Sequence, residues 1–243
     1  NTKYFSAASD TELNEKFVSG WLDQENNPVS DYIDFAKSVL SIPQAHEMIA
    51  RYTVLDKDAK RLILLRPYQI HAIEAVREAS KNGKSGFIWH TTGSGKTLTS
   101  FKLAQLLREE ARVDLVVFLI DRKDLDDQTV EEYNSFEKDC VDNTDSTRVL
   151  IQMLKSSEKK MIVTTIQKMA NAVKNPKYEA FMDDYRDKKV VFIIDECHRS
   201  QFGSMHAQIQ KHFEKANYIG FTGTPIFEKN KGADGRTTAD VFH

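Results

Sequence analysis

"GFIWHTTGSGKT", residues 86–97, decides how the rest of the chain is read. An apolar, β-prone run enters a glycine loop, and the loop opens into "KTLTSFKLAQLLREE", a stretch rich in helix formers. Strand, glycine loop and helix in that order are the setting of a phosphate-binding loop, with the pattern G-x-x-x-x-G-K-[ST]. Gly95, Lys96 and Thr97 complete that pattern, but His90 stands where its first glycine belongs. That first glycine shapes the turn out of the strand and supplies no phosphate charge, so His90 changes loop geometry without removing a ligand. Gly93 and Gly95 permit the tight backbone that turns successive N–H groups toward one centre. The expected cradle runs from Thr92 through Gly93, Ser94 and Gly95 to Lys96, Thr97 and Leu98. In it the Lys96 ammonium suits the β- and γ-phosphates of a nucleoside triphosphate, the Thr97 hydroxyl suits Mg²⁺, and the helix start adds positive character. A glycine turn with an incidental lysine is the alternative, and the flanking strand and helix argue against it.

Working outward, short apolar runs alternate with helical segments from residue 61 onward. "DLVVFLID" (114–121), "KMIVTT" (160–165), "KVVFIIDE" (189–196) and "NYIGFT" (217–222) are continuous Val/Ile/Phe runs, as in strands covered on both faces. With helical stretches at 96–110, 124–138, after 165 and after 203, they predict an α/β fold. The expected architecture is an open, doubly wound, mostly parallel sheet with helices on both faces. Such sheets bind ligands at the carboxyl ends of their strands, and the chemistry-bearing residues here sit at those ends. Residues 1–60 read as a helical segment or linker. Ser9 and Glu12 have capping-box spacing, Phe17, Val18, Trp21 and Leu22 share a helical face, and 32–40 carries a broad apolar stripe. The polar, glycine-bearing stretch 230–243 reads as a linker leaving the sheet.

A phosphate loop needs an acid for its metal, and "VVFIIDECH" offers one. Asp195 ends an apolar run and Glu196 follows at once. Asp195 is the expected Mg²⁺ ligand and Glu196 the group that polarises an attacking water. Alone, the pair would be an ordinary solvated strand end; its meaning comes from the phosphate loop about 100 residues earlier. His198 is either a relay near the same edge or a plain surface histidine.

Composition narrows the class. Net charge is −2, from 34 basic and 36 acidic residues, so any nucleic-acid contact must use a local patch. No apolar run is long enough to span a bilayer, and no secretory signal opens the chain. The absence of an initiator Met suggests a piece of a longer protein. Cys140 and Cys197 lack metal-ligand spacing and read as reduced thiols of a cytoplasmic protein.

Taken together, these residues resemble superfamily 2 helicases and translocases, whose phosphate motif often reads T-G-S-G-K-T without the leading glycine. "DECH" (195–198) is similar to the family's second motif and "TGTP" (222–225) to its third. The latter's Thr222, Gly223 and Thr224 would couple nucleotide state to the nucleic-acid track. "RPYQ" (66–69) resembles the upstream glutamine motif, in which Gln69 would read the adenine edge. "DRKDLDDQ" (121–128) and "TTIQ" (164–167) resemble the strand-contacting motifs, placing Arg122, Lys123, Gln128, Thr165 and Gln167 near the nucleic-acid path, with His198 beside them. Within the superfamily, "IDRKDLDDQ", "TTIQK", "IDECHRSQFG" and "GFTGTP" are similar to the motor (R) subunit of type I restriction enzymes. The resemblance implies a first RecA-like lobe at 61–229. It also implies ATP- and Mg²⁺-dependent translocation on double-stranded DNA, and specificity and methyltransferase subunits as partners. The second lobe, with its arginine, and the nuclease would lie elsewhere, so this stretch alone is expected to turn over ATP poorly. "EKK" (158–160) and "DKK" (187–189) read as solvated charge runs rather than nuclease residues. An RNA helicase of the same superfamily and a non-catalytic nucleotide- and partner-binding module are the competing readings.

Overall fold

The structure is a computed structural model. It describes residues 3–4, 19–56, 60–91, 93–121, 130–131, 133–134, 140–141, 146–156, 161–197, 202–231, 235 and 237–242. The chain divides into two compact units, Asn1–Ala75 and Val76–His243.

In the first unit, β1 (Lys3–Tyr4) pairs antiparallel with β2 (Ser19–Gly20). Helix α1 (Tyr32–Phe35) continues as a π-helical turn, Ala36–Leu40, and α2 covers Ile42–Tyr52. Asp31 caps α1 by accepting from the Ile33 and Asp34 N–H groups. The apolar stripe expected at 32–40 is only partly buried: Phe35 and Val39 face inward, whereas Tyr32, Ile33 and Leu40 are exposed. A π-helical turn closes i→i+5 bonds, so it shifts the side-chain phase that a 3.6-residue period assumes. After α2, β3 (Thr53–Asp56) and β4 (Arg61–Leu64) form an antiparallel hairpin rather than more helix. Helix α3 (Pro67–Lys81) follows and contains the division between the units, which therefore falls later than the expected boundary at 60/61. Tyr52 is buried, and its hydroxyl donates to Glu74 at 2.7 Å. The proposed capping box at Ser9 and the face bearing Phe17 and Val18 lie outside the described residues.

The second unit is built on a five-stranded sheet, β5 (Gly86–Trp89), β6 (Leu115–Ile120), β7 (Met161–Thr165), β8 (Val190–Ile194) and β9 (Asn217–Thr222). Its spatial order is β5-β9-β8-β6-β7, and every pairing is parallel. Strands β6 to β9 are buried at every position, as expected of runs apolar on both faces. Around the sheet lie α4 (Lys96–Glu109), α5 (Thr147–Lys155), α6 (Ile166–Lys174), α7 (Glu179–Asp183) and α8 (Phe202–His212). Phe192 stacks on Tyr218 at 5.2 Å and meets Phe213 edge-on at 5.0 Å, anchoring β8, β9 and the end of α8 together.

Register levels the carboxyl ends. Trp89 pairs with Thr222, Leu119 with Ile194, and Ile120 with Thr165. Residues 90, 121, 166, 195 and 223 thus follow strands that end along one rim. Between β5 and the next strand in sequence, β6, stand β9 and β8. The neighbouring strands β8 and β6 send their connections in opposite directions, to β9 and to β7, and such a switch point is where open α/β sheets form their ligand crevice.

The stretch expected to be a linker leaves the sheet and returns. Helix α9 (Thr238–Val241) begins with a Thr237 capping box, and Phe242 is buried. The return is fastened at Ile226, whose carbonyl accepts from the Thr238 N–H at 2.8 Å and whose N–H donates to Thr238 Oγ1 at 2.7 Å.

Candidate functional site

The strand β5 ends by handing its ladder to the loop. The His90 N–H donates to the Thr222 carbonyl at 2.9 Å, which ties the loop's first residue to the end of β9. Gly93 and Gly95 then adopt φ values of 78° and 80°, a region where a side chain is strained. The Ser94 N–H donates to the Thr91 carbonyl at 3.1 Å, closing the loop. Gly95 is the residue before α4, and both the N–H and hydroxyl of Thr99 bond its carbonyl. The first helical residue is Lys96, so its ammonium leaves from a helix start surrounded by backbone N–H groups. Thr97 and Leu98 follow it, half-buried; Thr92 lies outside the described residues.

Across the crevice, Asp195 and Glu196 continue from β8. The Asp195 N–H donates to the Leu119 carbonyl at 3.2 Å, and the Cys197 N–H to the Phe221 carbonyl at 3.2 Å, so both neighbouring strands grip this turn. Glu196 between them has φ 45°. A non-glycine residue in that region costs about 1–3 kcal/mol and persists where its surroundings over-determine it. The Asp195 carboxylate supports the turn by accepting from the Glu196 N–H at 2.9 Å.

Lys96 reaches both acids. Its Nζ hydrogen-bonds Glu196 Oε1 and lies 3.8 Å from Asp195 Oδ1. The three side chains are 15%, 26% and 30% exposed in the order Lys96, Glu196, Asp195, which leaves them reachable from solvent while excluding most water from between them. His90 lies behind the loop, buried and edge-on to Phe221 at 6.1 Å. Burial holds its imidazole below the usual histidine range, and the nearby Lys96 charge adds to the effect. Cys197 is buried too, and its thiol is pushed up to about 12 by burial first and then by Asp195 and Glu196. It is an inert packing group, not a nucleophile.

The donor set discriminates between ions. Among the described residues no cluster of three or more His, Cys, Asp or Glu could hold a metal. A pair of carboxylates beside a helix-start threonine instead suits Mg²⁺, which keeps several waters and takes one or two carboxylates beside a substrate phosphate.

The other candidate residues lie elsewhere along the chain. Gln69 belongs to the first unit, where its side chain accepts from the Arg66 N–H at 2.8 Å and closes the start of α3. At the β6–β7 end of the rim, Gln167 Nε2 donates to the buried Asp121 at 3.5 Å, and Thr165 caps α6 by accepting from the Lys168 N–H. Thr222 is buried, and its hydroxyl accepts from the Thr224 N–H at 3.1 Å, folding the Thr222–Gly223–Thr224 turn. Arg122, Lys123, Gln128 and His198 lie outside the described residues, as does most of 124–138. Sequence reasoning passed over Trp89 and Phe227, an exposed edge-on pair at 5.5 Å whose indole donates to the Gly223 carbonyl. The signal was an aromatic residue one position before the loop. Phe242, a lone aromatic in a polar stretch, gave none.

The model of the SWI2/SNF2 ATPase family matches residues 68–243. The chain belongs to this family. Among curated proteins it is similar to the type I restriction enzyme SsaAORF53P endonuclease subunit of Staphylococcus saprophyticus, 49% identical over the whole of this chain and 26% of that subunit. It therefore spans about a quarter of the length of such relatives. The motif-based resemblance to type I restriction subunits agrees with these matches. Among solved structures, the Sulfolobus solfataricus SWI2/SNF2 ATPase core in complex with dsDNA matches 73% of this chain and 34% of its own, with a TM-score of 0.51 and 19% identity. A nuclease-deletion mutant of the Type ISP restriction-modification enzyme LlaGI, bound to a DNA substrate mimic, matches 68% of this chain and 18% of its own, with a TM-score of 0.52 and 21% identity. Both likenesses concern the fold, that of a RecA-like helicase lobe. The SWI2/SNF2 ATPase core implies use of a nucleotide. Among the described residues no helix is long and apolar enough to cross a membrane.

Proposed function

We propose that this chain is the ATP-binding lobe of a DNA translocase, part of the restriction subunit of a type I restriction-modification enzyme. The observation that carries the reading is the meeting of Lys96 with Asp195 and Glu196 at one rim of the sheet. The loop N–H groups and Lys96 would hold the β- and γ-phosphates of ATP, and Thr97 and Asp195 would hold Mg²⁺. Bound there, Mg²⁺ supplies charge neutralisation across the phosphates. The lysine's present pairing fits this assignment. A triphosphate competes with the two carboxylates for the ammonium, which moves to the phosphate and releases Asp195 toward the metal. Glu196, freed from the same pairing, orients a water and takes its proton. An arginine from a second lobe, outside this chain, would complete the charge balance; such groups contribute about 10³–10⁵ in rate.

Double-stranded DNA is the proposed track. Support comes from the DNA-bound family core, the restriction-subunit relatives and the polar rim after β6 and β7, where Thr165 and Gln167 lie in the strand-contacting motif. Gripping phosphates through hydroxyls and backbone N–H groups ignores sequence, as a motor must. Specificity and methyltransferase subunits would select the DNA site, and Gln69 would read adenine. The buried thiols of Cys140 and Cys197 agree with a cytoplasmic protein.

The test uses the full-length subunit assembled with its partners. Lys96→Ala is expected to lower duplex-stimulated ATPase by on the order of 10³ or more and to stop displacement of a triplex-forming strand. Unchanged ATPase in that variant would overturn the assignment. Unwinding of a forked substrate by the parent enzyme would favour a strand-separating helicase instead.

A further inference from the structure

Glycine at position 220 explains itself only through what lies over it. Gly220 sits inside β9, paired with Phe87 of β5 and Ile194 of β8, and its backbone is not left-handed. Conformational freedom is therefore not the reason for glycine. A Cβ built there would lie 2.6 Å from Cys197 Sγ and 2.8 Å from Phe242 Cε2, with Phe242 Cζ nearer still. The ring and the sulfur thus share the space that a side chain would take. Cys197 is the residue after Glu196, and Phe242 is the last described residue of the segment that returns after α9.

The Phe242 ring is enclosed on other sides as well, at 6.4 Å from Phe87 and 5.6 Å from His206, and it is only 5% exposed. Its backbone is fixed by the Ala239 carbonyl, and α9 is fixed to Ile226 by the paired Thr238 bonds. A continuous set of contacts therefore runs from the end of the Thr222–Pro225 turn, through α9 and Phe242, to the sulfur of Cys197. From there it reaches the left-handed Glu196. The Asp195–Cys197 turn has backbone bonds to β6 and β9, but it holds a conformation unfavourable for glutamate. Such a conformation needs packing to keep it in place.

We propose that Phe242 is a positioning residue for Glu196: its ring, seated on Gly220 and against Cys197, holds the turn that aims the carboxylate at the reacting phosphate. The proposal rests on the hydrolytic reading above. It predicts that the segment following the Thr222–Pro225 turn acts on the rate of the chemical step and not on nucleotide affinity.

The test compares Phe242→Ala, Phe242→Leu and Gly220→Ala in the full-length subunit within its complex. Cys197 and Cys140 alkylation by iodoacetamide is followed by peptide mass spectrometry alongside ATPase kinetics. In Phe242→Ala, kcat is expected to fall roughly 10–100-fold, because a displacement of about 1 Å at a reacting group has that effect, with KM for ATP within about twofold. Labelling of Cys197 is expected to rise about tenfold or more while Cys140, buried beside Tyr133, stays protected. Phe242→Leu, which keeps apolar bulk, should recover most of the rate. Gly220→Ala, which displaces ring and sulfur while leaving the sequence of the returning segment unchanged, should reproduce the kcat loss. An unchanged kcat in Phe242→Ala would overturn the proposal, as would a loss accompanied by exposed Cys140 or lost ATP binding. Undiminished ATPase in Lys96→Ala would instead defeat the hydrolytic reading, a result separate from any of these.

Discussion

The two ends of the same five strands are built on opposite principles. At the amino end, polar groups close on one another. The Ser80 hydroxyl donates to Asn217 Oδ1 at 3.1 Å, Asn217 Nδ2 donates to the Lys84 carbonyl at 3.0 Å, and the Ser85 hydroxyl accepts from the Tyr218 N–H at 2.9 Å. Glu110 accepts from both Arg77 and Arg112, with its side chain 12% exposed, and Arg112 also donates to the Ser80 carbonyl. Among the described residues at this end, Gly83, in the turn after α3, alone has a positive φ. At the carboxyl end, Gly93, Gly95 and Glu196 all have positive φ, and a lysine faces two acids at once. One end spends its polar groups on folding. The other holds like charges together and stores backbone strain, an arrangement that costs stability and is useful only if a ligand completes it.

That contrast can be broken from either side. The largest effect is expected at the carboxyl end. Asp195→Asn keeps the size of the side chain and removes a charge, so ATPase should fall by about 10²–10³ and need more Mg²⁺ for half-maximal rate. Thermal and denaturant resistance should stay level or rise, because two adjacent carboxylates no longer repel. A clear loss of stability would mean that this end is structural after all. At the amino end the signs reverse. Glu110→Ala strands two arginine heads and should destabilise this unit by roughly 1.5–3 kcal/mol, read by amide exchange of β6 and β9. kcat per folded molecule should not change. A selective loss of kcat there would erase the division between the ends.

The smallest effect sharpens the comparison at its edge. Burial keeps His90 neutral, with its folded pKa below the ordinary value of about 6.5. The unfolded chain therefore takes up the proton first as pH falls. Its contribution to stability is complete above about pH 6.5 and is lost as pH drops through the depressed folded value. His90→Asn should flatten this acid-side decline, measured as amide exchange of residues 90–97 between pH 7 and pH 5. An identical pH profile in the variant would show that His90 does not set it.

Legibility in the sequence follows the same physics. Strands β6 to β9 were readable because each is buried on both faces, which compresses its code into an uninterrupted apolar run, whereas the less buried β5 was readable from the glycine loop it enters. "DLVVFLID" contains β6 and "KVVFIIDE" contains β8, with Asp121 and the Asp195–Glu196 pair left over at the rim. The phosphate loop was readable because glycine at 93 and 95 answers a local backbone demand. What escaped depends on distant partners or on altered periodicity. The π-helical turn at Ala36–Leu40 shifts a face that a regular period would bury. The hairpin Thr53–Leu64 sits where apolar residues such as Leu55 and Leu62 are exposed, so burial leaves no imprint. Phe242 is buried by Gly220 and Cys197, residues more than 20 positions away, and nothing in its polar surroundings announces that. The meeting of Lys96 with Glu196, 100 positions apart, was inferable only by reading two motifs as parts of one site.

The central claim is that Glu196 acts on a water while Lys96 and the loop hold the nucleotide. Single-turnover kinetics of the full-length subunit carrying Glu196→Gln test it most directly. The account predicts that MgATP is still bound with near-parental affinity, and that its cleavage slows by about 10²–10⁴. Cleavage at the parental rate, or loss of binding in step with loss of cleavage, would contradict it.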